Sequence, residues 1–167
     1  MSKKDNELIS DIKTKFKADV KVQNDKRIWI SIEANILIEI CKWIKKQGFV
    51  HLSAISVTDW LEKGVYELTY HLWSYNDKIL ITIKTKVNRK KPVIESVTPI
   101  WYENAQIHER ELHELFGVKF RGNQDLSPLF LENWDGPAPF RKDFNWREYV
   151  RKKFYDKKNE REKVYYD

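Results

Sequence analysis

Residues 108–117 read HERELHELFG, and the rest of the chain is organised around this stretch. Leu112, Leu115 and Phe116 are spaced as i, i+3 and i+4, which predicts one short helix with these side chains on one face. Gly117 follows directly and is the residue type that most often ends a helix. The charged residues of the stretch are therefore expected to cover the exposed side of the helix: Glu109, Arg110, Glu111 and Glu114.

The segment from residue 118 to Asp143 shows neither a helical nor a strand period that persists. Glycine and proline residues interrupt it, yet it carries several large apolar side chains: Leu126, Leu129, Phe130, Leu131, Trp134 and Phe140. Irregular chain with this much apolar surface is expected to lie against its own domain or against a partner.

These two stretches resemble the signature of the C subunit of NADH dehydrogenase, respiratory complex I, a family that includes related subunits of complex-I-like membrane hydrogenases. The resemblance runs in order from Phe49 to Phe144. The resemblance implies that the signature residues lie at a partner interface: Glu109, Arg110, Glu111, Glu114, Phe116, Gly117, Asp125, Leu126, Trp134, Arg141, Lys142, Asp143 and Phe144.

The resemblance also implies a structural subunit with no cofactor and no catalytic residue of its own. In the family, this subunit packs beside a large subunit that is related to nickel–iron hydrogenase large subunits, and its C-terminal extension wraps that neighbour. The [NiFe] centre and the iron–sulfur clusters are thus expected in partners, the large subunit and the iron–sulfur small subunit. The chain is expected at the cytoplasmic face of the cell membrane, held there through partner subunits.

Residues 122–128 read GNQDLSP, whereas complex I subunits typically have Gly-His-Pro-Asp-Leu-Arg-Arg at this place. Together with WDGP at residues 134–137, this departure is similar to the subunits of archaeal membrane-bound hydrogenases. It implies a ferredoxin-linked, ion-pumping [NiFe] hydrogenase. Formate hydrogenlyase, a sulfane-sulfur reductase complex and an NADH:quinone oxidoreductase stay open as alternatives.

The order of predicted elements favours an α+β fold with two layers, a mixed and largely antiparallel sheet with helices on one face. The apolar periodicity predicts helices at 7–17 and 34–47, and strands at 27–32, 49–57, 65–73, 79–87 and 93–97. Thr58 and Asp59 are expected to open a loop, and residues 74–78 to turn an antiparallel hairpin. The predicted domain spans residues 1–120. Residues 121–167 are named the C-terminal arm, and this arm is predicted to be extended and to dock on a partner subunit.

The composition limits the alternatives. The chain of 167 residues is 41% hydrophobic, enough for a sizeable core, yet no apolar run approaches the length that spans a bilayer. No apolar segment follows the N-terminal residues, so no secretory signal is expected.

Cys41 is the only cysteine, which excludes an internal disulfide or a cysteine-ligated cluster in this chain, and it is predicted to be buried. The net charge of +6 keeps a nucleic-acid-binding domain as an alternative, although both charge signs are mixed along the sequence. High Lys and Glu with few Gln and one Met fit a thermophile surface.

Direct chemistry by this chain is not predicted. His108 and His113 are spaced i and i+5, which turns them about 140° apart on a helix, so a zinc-hydrolase site is disfavoured. Asp125 is expected to turn the backbone, and no second group is evident that would make Asp143 a general acid or base. Two hypotheses remain for residues 109–111. Either they pair with the Arg141–Asp143 cluster or with a partner, or they form intrahelical pairs such as Arg110 with Glu114.

Overall fold

Alternating buried and exposed residues build a five-stranded mixed sheet in the computed structural model, which describes residues 3–155. The strand order is β1-β2-β5-β4-β3; β2 and β5 are parallel and the other neighbours are antiparallel. The strands are Asp19–Asn24 (β1), Arg27–Ile32 (β2), His51–Trp60 (β3), Val65–Ser74 (β4) and Ile79–Asn88 (β5).

Four α-helices, two 3-10 turns (Ala34–Ile36 and Leu61–Lys63) and a small second sheet are the other regular elements of the described chain. The short strands Val93–Glu95 (β6) and Lys119–Arg121 (β7) pair in parallel beside the main sheet. The α-helices are Lys3–Phe16 (α1), Leu37–Lys46 (α2), Tyr102–Phe116 (α3) and Trp146–Phe154 (α4). None of the helices within residues 3–155 has the length and apolar character needed to cross a membrane.

The core lies between one face of the sheet and the helices. On β4 the inward residues Tyr66, Leu68, Tyr70 and Leu72 are all completely buried. They pack in one cluster with buried residues of α1 and α2, including Ile12, Leu37, Ile40, Cys41 and Ile44. Each fully buried aliphatic side chain contributes roughly 1.5–3 kcal/mol. The predicted α+β fold with helices on one face of a mixed sheet is therefore confirmed, and Cys41 is buried as predicted.

Several strands differ from the sequence-based expectation. Strand β7 was not predicted, and β6 ends at Glu95, two residues before its predicted end. Strand β1 was not predicted, because its only apolar residues are two valines; it forms by antiparallel pairing with β2. Strand β3 continues to Trp60, so the predicted loop at 58–59 was wrong, because Thr58 and Asp59 pair with Glu67 and Tyr66 of β4.

Helix α3 begins at Tyr102, well before the predicted start at His108. Its first turn is closed by a hydrogen bond from the Ala105 N–H to the Trp101 carbonyl (2.9 Å), and Ala105 is fully buried. The helix ends as predicted at Gly117, whose φ of 77° is the left-handed conformation that favours glycine.

The described part of the C-terminal arm does not extend away from the domain. It is irregular from Gly122 to Asn145 and lies along α3 before α4 begins. Docking of the arm on a partner stays a prediction. The last part of the predicted arm, residues 156–167, lies outside the described residues.

Candidate docking site

Glu109 is completely buried, which contradicts its predicted place on the exposed side of the helix. Glu109 lies four residues after Ala105 and three before Leu112, so it falls in the buried stripe of the helix, against the chain that follows β6. Its carboxylate accepts hydrogen bonds from the Ser96 hydroxyl (2.7 Å), the Val97 N–H (2.8 Å) and the Asn123 side-chain amide (2.8 Å).

These three bonds give Glu109 a structural task. Burial raises its pKa above the ordinary value, and the three donors oppose that rise without cancelling it. The carboxylate joins the chain after β6 to the first turn of the C-terminal arm at Asn123. It therefore fixes the point where the arm leaves β7.

Two neighbouring residues of α3, Gln106 and Arg110, hold the next part of the arm by its backbone. The Gln106 amide donates to the carbonyl of Asp125 (2.7 Å). The Arg110 guanidinium donates to the carbonyls of Ser127 (3.0 Å) and Pro128 (2.9 Å). Asp125 accepts the Ser127 N–H (2.9 Å), so its predicted role in turning the backbone is confirmed.

Glu114 binds the arm at three consecutive backbone groups. Its carboxylate accepts the N–H groups of Leu129 (3.1 Å), Phe130 (3.0 Å) and Leu131 (2.7 Å). Burial raises the pKa of Glu114, but these donors outweigh it and hold the pKa below the ordinary value. These N–H groups have no strand partner, and one side chain of α3 supplies the acceptor that all three need.

Past the end of α3 the arm turns back. The Phe140 N–H donates to the Leu115 carbonyl (2.9 Å), and the Phe140 ring contacts Phe116 edge to face with centroids 5.8 Å apart. A Cβ at Gly117 would lie 3.7 Å from the Ala138 side chain, which is an ordinary contact distance. Glycine is therefore favoured at this turn by its left-handed backbone and not by lack of space.

The end of the irregular segment is fastened by four charged residues, which we name the clasp: Asp59, Arg89, Arg141 and Asp143. Arg89 donates to both oxygens of Asp59 (2.7 and 3.0 Å) and to both oxygens of Asp143 (2.9 and 2.6 Å). Arg141 also bonds Asp143 (3.1 and 2.9 Å), and the Lys142 N–H donates to Asp59 (3.0 Å). Such bidentate pairs fix geometry as well as contributing energy.

The two carboxylates of the clasp differ in exposure. The side chain of Asp59 is 2% exposed and that of Asp143 is 41% exposed. The guanidinium of Arg89, and then that of Arg141, hold the pKa of Asp143 well below its ordinary value. Burial raises the pKa of Asp59, but Arg89 and the Lys142 N–H outweigh it and lower the pKa. Both carboxylates are thus held ionised, and the clasp orders the chain instead of moving protons.

The predicted pairing of residues 109–111 with the Arg141–Asp143 cluster was wrong. The partners of that cluster are Asp59 and Arg89, which the sequence did not single out. A signal for Asp59 was present, because it follows Ile55 and Val57 at inward positions of β3, where a charged residue needs a partner. Glu111 instead lies near His108 on the same helix, with its Oε2 3.8 Å from the His108 Nδ1. The described residues contain no group of His, Cys, Asp and Glu able to hold a metal ion.

The remaining signature residues order the arm through aromatic contacts. The Trp134 ring packs against the rings of Phe144 and of Tyr149 in α4, with centroids 6.0 Å and 5.0 Å apart. A Cβ at Gly136 would lie 2.7 Å from the Trp134 ring, so only glycine allows this approach. Leu126 packs against the core.

The arm nevertheless leaves apolar surface exposed. Phe130 is 61% exposed and Phe140 is 59% exposed. Beside them, an open groove of about 420 Å³ lies between the end of α3 and the arm, lined by residues that include Leu126, Leu131 and Trp134. Ordered apolar side chains on a pinned irregular segment are typical of a surface that binds another protein.

Comparisons with known proteins agree with this architecture. Residues 30–150 match the family model described as respiratory-chain NADH dehydrogenase, 30 Kd subunit. The chain is 31% identical over 129 residues to the C subunit of the F(420)H(2) dehydrogenase of Methanosarcina mazei, covering 76% of this chain and 81% of the relative. It is 38% identical over 96 residues to the C/D subunit of the NADH-quinone oxidoreductase of Phocaeicola vulgatus, covering 56% of this chain but 18% of that longer relative.

A solved structure extends the similarity to the arm. A chain of the membrane-bound sulfane sulfur reductase, an archaeal respiratory membrane complex, superposes with a TM-score of 0.82 at 29% identity. The superposition covers 94% of this chain and 95% of that one.

Proposed function

Because the chain belongs to the family of the 30 kDa subunit of respiratory-chain NADH dehydrogenase, we propose that it is a non-catalytic, cofactor-free subunit of a complex-I-like, membrane-bound redox complex. Its task is to bind a neighbouring subunit through the C-terminal arm. The observation that carries this proposal is the arm itself, an irregular segment pinned by Glu109, Glu114 and the clasp while Phe130 and Phe140 face outward.

The neighbour that we propose is the hydrogenase-like large subunit, with the iron–sulfur small subunit adjoining and membrane subunits reached indirectly. The C/D relative supports an adjacent large partner, since the region similar to this chain makes up 18% of a longer polypeptide. The [NiFe] centre and iron–sulfur clusters belong to those partners in this proposal. The chain then lies peripherally at the cytoplasmic face of the membrane.

The kind of complex is proposed on two separate observations. The stretch at residues 122–128, which departs from the complex I pattern, favours a ferredoxin-linked, ion-pumping [NiFe] hydrogenase. The similarity to a chain of the sulfane sulfur reductase over 94% of this chain favours a sulfur-reducing complex as the second candidate. An NADH or reduced-cofactor:quinone oxidoreductase is a third.

Purification of the tagged chain from gently solubilised membranes of its own cells tests these candidates. Recovery with nickel, iron and membrane subunits supports the hydrogenase. Iron and membrane subunits without nickel support a sulfur- or quinone-reducing complex. Recovery of the chain without any other subunit contradicts the proposed function, and nucleic-acid binding that weakens steeply with salt would then support a basic nucleic-acid-binding domain.

The docking role of the arm is tested with a matched pair of variants. Phe130→Ser removes an aromatic side chain of the arm that is 61% exposed, and Tyr102→Ser removes one that is 71% exposed at the start of α3. We expect Phe130→Ser to lower the recovery of partner subunits about tenfold, as for an interface hot spot, while Tyr102→Ser leaves it unchanged. Equal recovery with both variants, at unchanged melting temperature, contradicts docking through the arm.

A further inference from the structure

The five-stranded sheet has a second face that no helix of residues 3–155 covers. The buried residues of α1, α2 and α3 form one cluster with the inward residues of the strands, such as Ile30, Tyr70 and Ile83. The outward residues form rows across paired strands. One row is Arg27, Leu80, Trp73 and His51; the next is Lys21, Trp29, Thr82, His71 and Ala54; a third is Asp19, Ser31, Lys84, Thr69 and Ser56; a fourth is Lys86, Glu67 and Thr58; a fifth is Asn88, Val65 and Trp60. We name this surface the open face.

Several groups of the open face are shielded from water although no helix of the described chain lies over them. Thr69 is 8% exposed and Thr82 is 4% exposed. The ion pair of Lys84 with Glu67 (3.2 Å) has side chains that are 27% and 15% exposed. These features are typical of a sheet that receives a second layer.

Exposed tryptophans stand on this surface. Trp29 is 37% exposed and Trp60 is 39% exposed. The Lys84 ammonium lies over the Trp29 ring at 4.6 Å, and the Lys63 ammonium lies over the Trp60 ring at 4.5 Å. Tryptophan is among the residues most enriched in the centres of protein interfaces.

The charge of the open face indicates the chemistry of its occupant. Its rows carry four cationic side chains against two carboxylates, which leaves a net charge of +2: Lys21, Arg27, Lys84 and Lys86 against Asp19 and Glu67. A partner surface with carboxylates beside apolar groups complements both the charge and the tryptophans.

Nucleic acid fits the geometry less well. Bases bind protein by stacking on open aromatic rings. Here one side of each exposed ring, Trp29 and Trp60, is already occupied by a lysine ammonium. A partner's carboxylates would bind the ammonium groups of Lys84 and Lys63 directly, which does not require an unoccupied aromatic ring.

We propose that the open face is a second docking surface, distinct from the arm, and that its occupant is an acidic, partly apolar segment of a partner subunit. This inference rests on the proposed function, because it requires the chain to be part of a complex. The two surfaces lie on different sides of the subunit, since the arm lies along α3 and the clasp pairs with the inward side chain of Asp59. The chain is thereby held between two neighbours instead of attached to one.

A charge-reversal pair tests the surface in the assembled complex. Lys21→Glu/Arg27→Glu changes two exposed cations of the open face. Lys13→Glu/Lys42→Glu makes the same change at two exposed positions of α1 and α2. We expect the first double variant to lower the recovery of at least one partner subunit about tenfold and the second to leave it unchanged. Equal recovery with both overturns the proposal.

A footprint of the wild-type chain needs no variant to fold. Hydroxyl-radical oxidation of Trp29 is compared between the isolated chain and the assembled complex, with Tyr102, 71% exposed at the start of α3, as the reference aromatic. Slower oxidation of Trp29 in the complex, with cross-links from Lys84 or Lys86 to an acidic segment of another subunit, supports the proposal. Equal oxidation, protection that nuclease removes, or cross-links only to a second copy of this chain overturns it.

The footprint also separates the two proposals. If the wild-type chain recovers no partner at all, the proposed function fails. If partners are recovered and Trp29 is unprotected in the complex, only the second docking surface fails.

Discussion

The α+β domain and the C-terminal arm are held in place by different interactions. In the domain, whole side chains such as Leu68 and Tyr70 are removed from water, and the strands satisfy one another's backbone groups. The arm from Gly122 to Asn145 has no strand partner. Its backbone is bound by the side chains of Gln106, Arg110 and Glu114, which project from α3.

This difference shows how a chain can present an irregular surface in one conformation. The arm gains order from polar side chains that belong to a helix already fixed by apolar packing. A variant should therefore be able to loosen the arm without unfolding the domain. The exception is a variant at a side chain that binds the arm and is itself buried in the domain. Variants at these side chains test that separation, starting with the one that belongs to both regions.

Arg89→Met is expected to have the largest effect. It leaves the carboxylate of Asp59, 2% exposed, without its guanidinium partner. It also removes one of the two arginines that bond Asp143. Breaking a buried pair in this way costs about 3–5 kcal/mol of unfolding free energy. Urea denaturation measures the loss, and Lys90→Met, at an exposed neighbouring position, is the control. A loss no larger than that of the control would show that Asp59 does not depend on Arg89.

Glu109→Ala should come next, at about 2–4 kcal/mol, because it leaves the Val97 N–H buried without an acceptor and removes the carboxylate to which the Ser96 hydroxyl donates. The same denaturation experiment applies. Glu111→Ala on the exposed side of α3 is the control and should change stability by less than about 0.5 kcal/mol. Similar losses in both variants would mean that burial of Glu109 contributes nothing to the domain.

Glu114→Ala should loosen the arm and spare the domain. Three N–H groups of residues 129–131 lose their acceptor, but they lie in partly exposed chain where water replaces it. We expect faster hydrogen exchange at residues 129–131, unchanged exchange in β4 and β5, and a loss of about 1–2 kcal/mol at most. Glu103→Ala, on the exposed first turn of α3, is the control. Faster exchange throughout the sheet would show that arm and domain unfold as one unit.

Lowering the pH should change the stability least, because the carboxyl groups with lowered pKa values and the one with a raised pKa value affect it in opposite directions. The folded pKa values of Glu114, Asp59 and Asp143 are lowered, so their stabilisation is present above the ordinary values of 4.5 and 3.8 and is lost as the pH falls through the folded values. The folded pKa of Glu109 is raised, so its contribution declines as the pH rises above 4.5. Hydrogen exchange between about pH 5 and about pH 3, corrected for intrinsic rates, should therefore show the arm opening before the sheet. Opening of both at one pH would contradict the separate control of the arm.

The regular parts of the fold follow from local patterns in the sequence. Strand β2 has the predicted limits, and the β4–β5 hairpin and α2 lie within a residue or a few residues of their predicted ends. The period of two or of 3.6 residues is set by which side chains are buried, and neighbouring residues carry that information. Gly117 ends α3 for an equally local reason, its left-handed backbone.

The candidate site depends on contacts that no local pattern contains. Arg89 bonds Asp59 across 30 residues and Asp143 across 54, and Glu109 is buried only because of how α3 lies against the chain after β6. The resemblance to a family predicted which residues lie at a partner interface, without saying what each one touches within the chain. Their partners became visible only with the tertiary structure.

The clasp also has a consequence for the order of events during synthesis. Asp59 and Arg89 leave the ribosome well before Asp143, from which Arg89 is separated by 54 positions. At about 5–20 residues per second, that interval lasts roughly 3–11 s, during which the buried pair is complete on one side only. The nascent domain can thus fold first and close its arm later, so the arm reaches its final conformation only when translation has passed the last clasp residue.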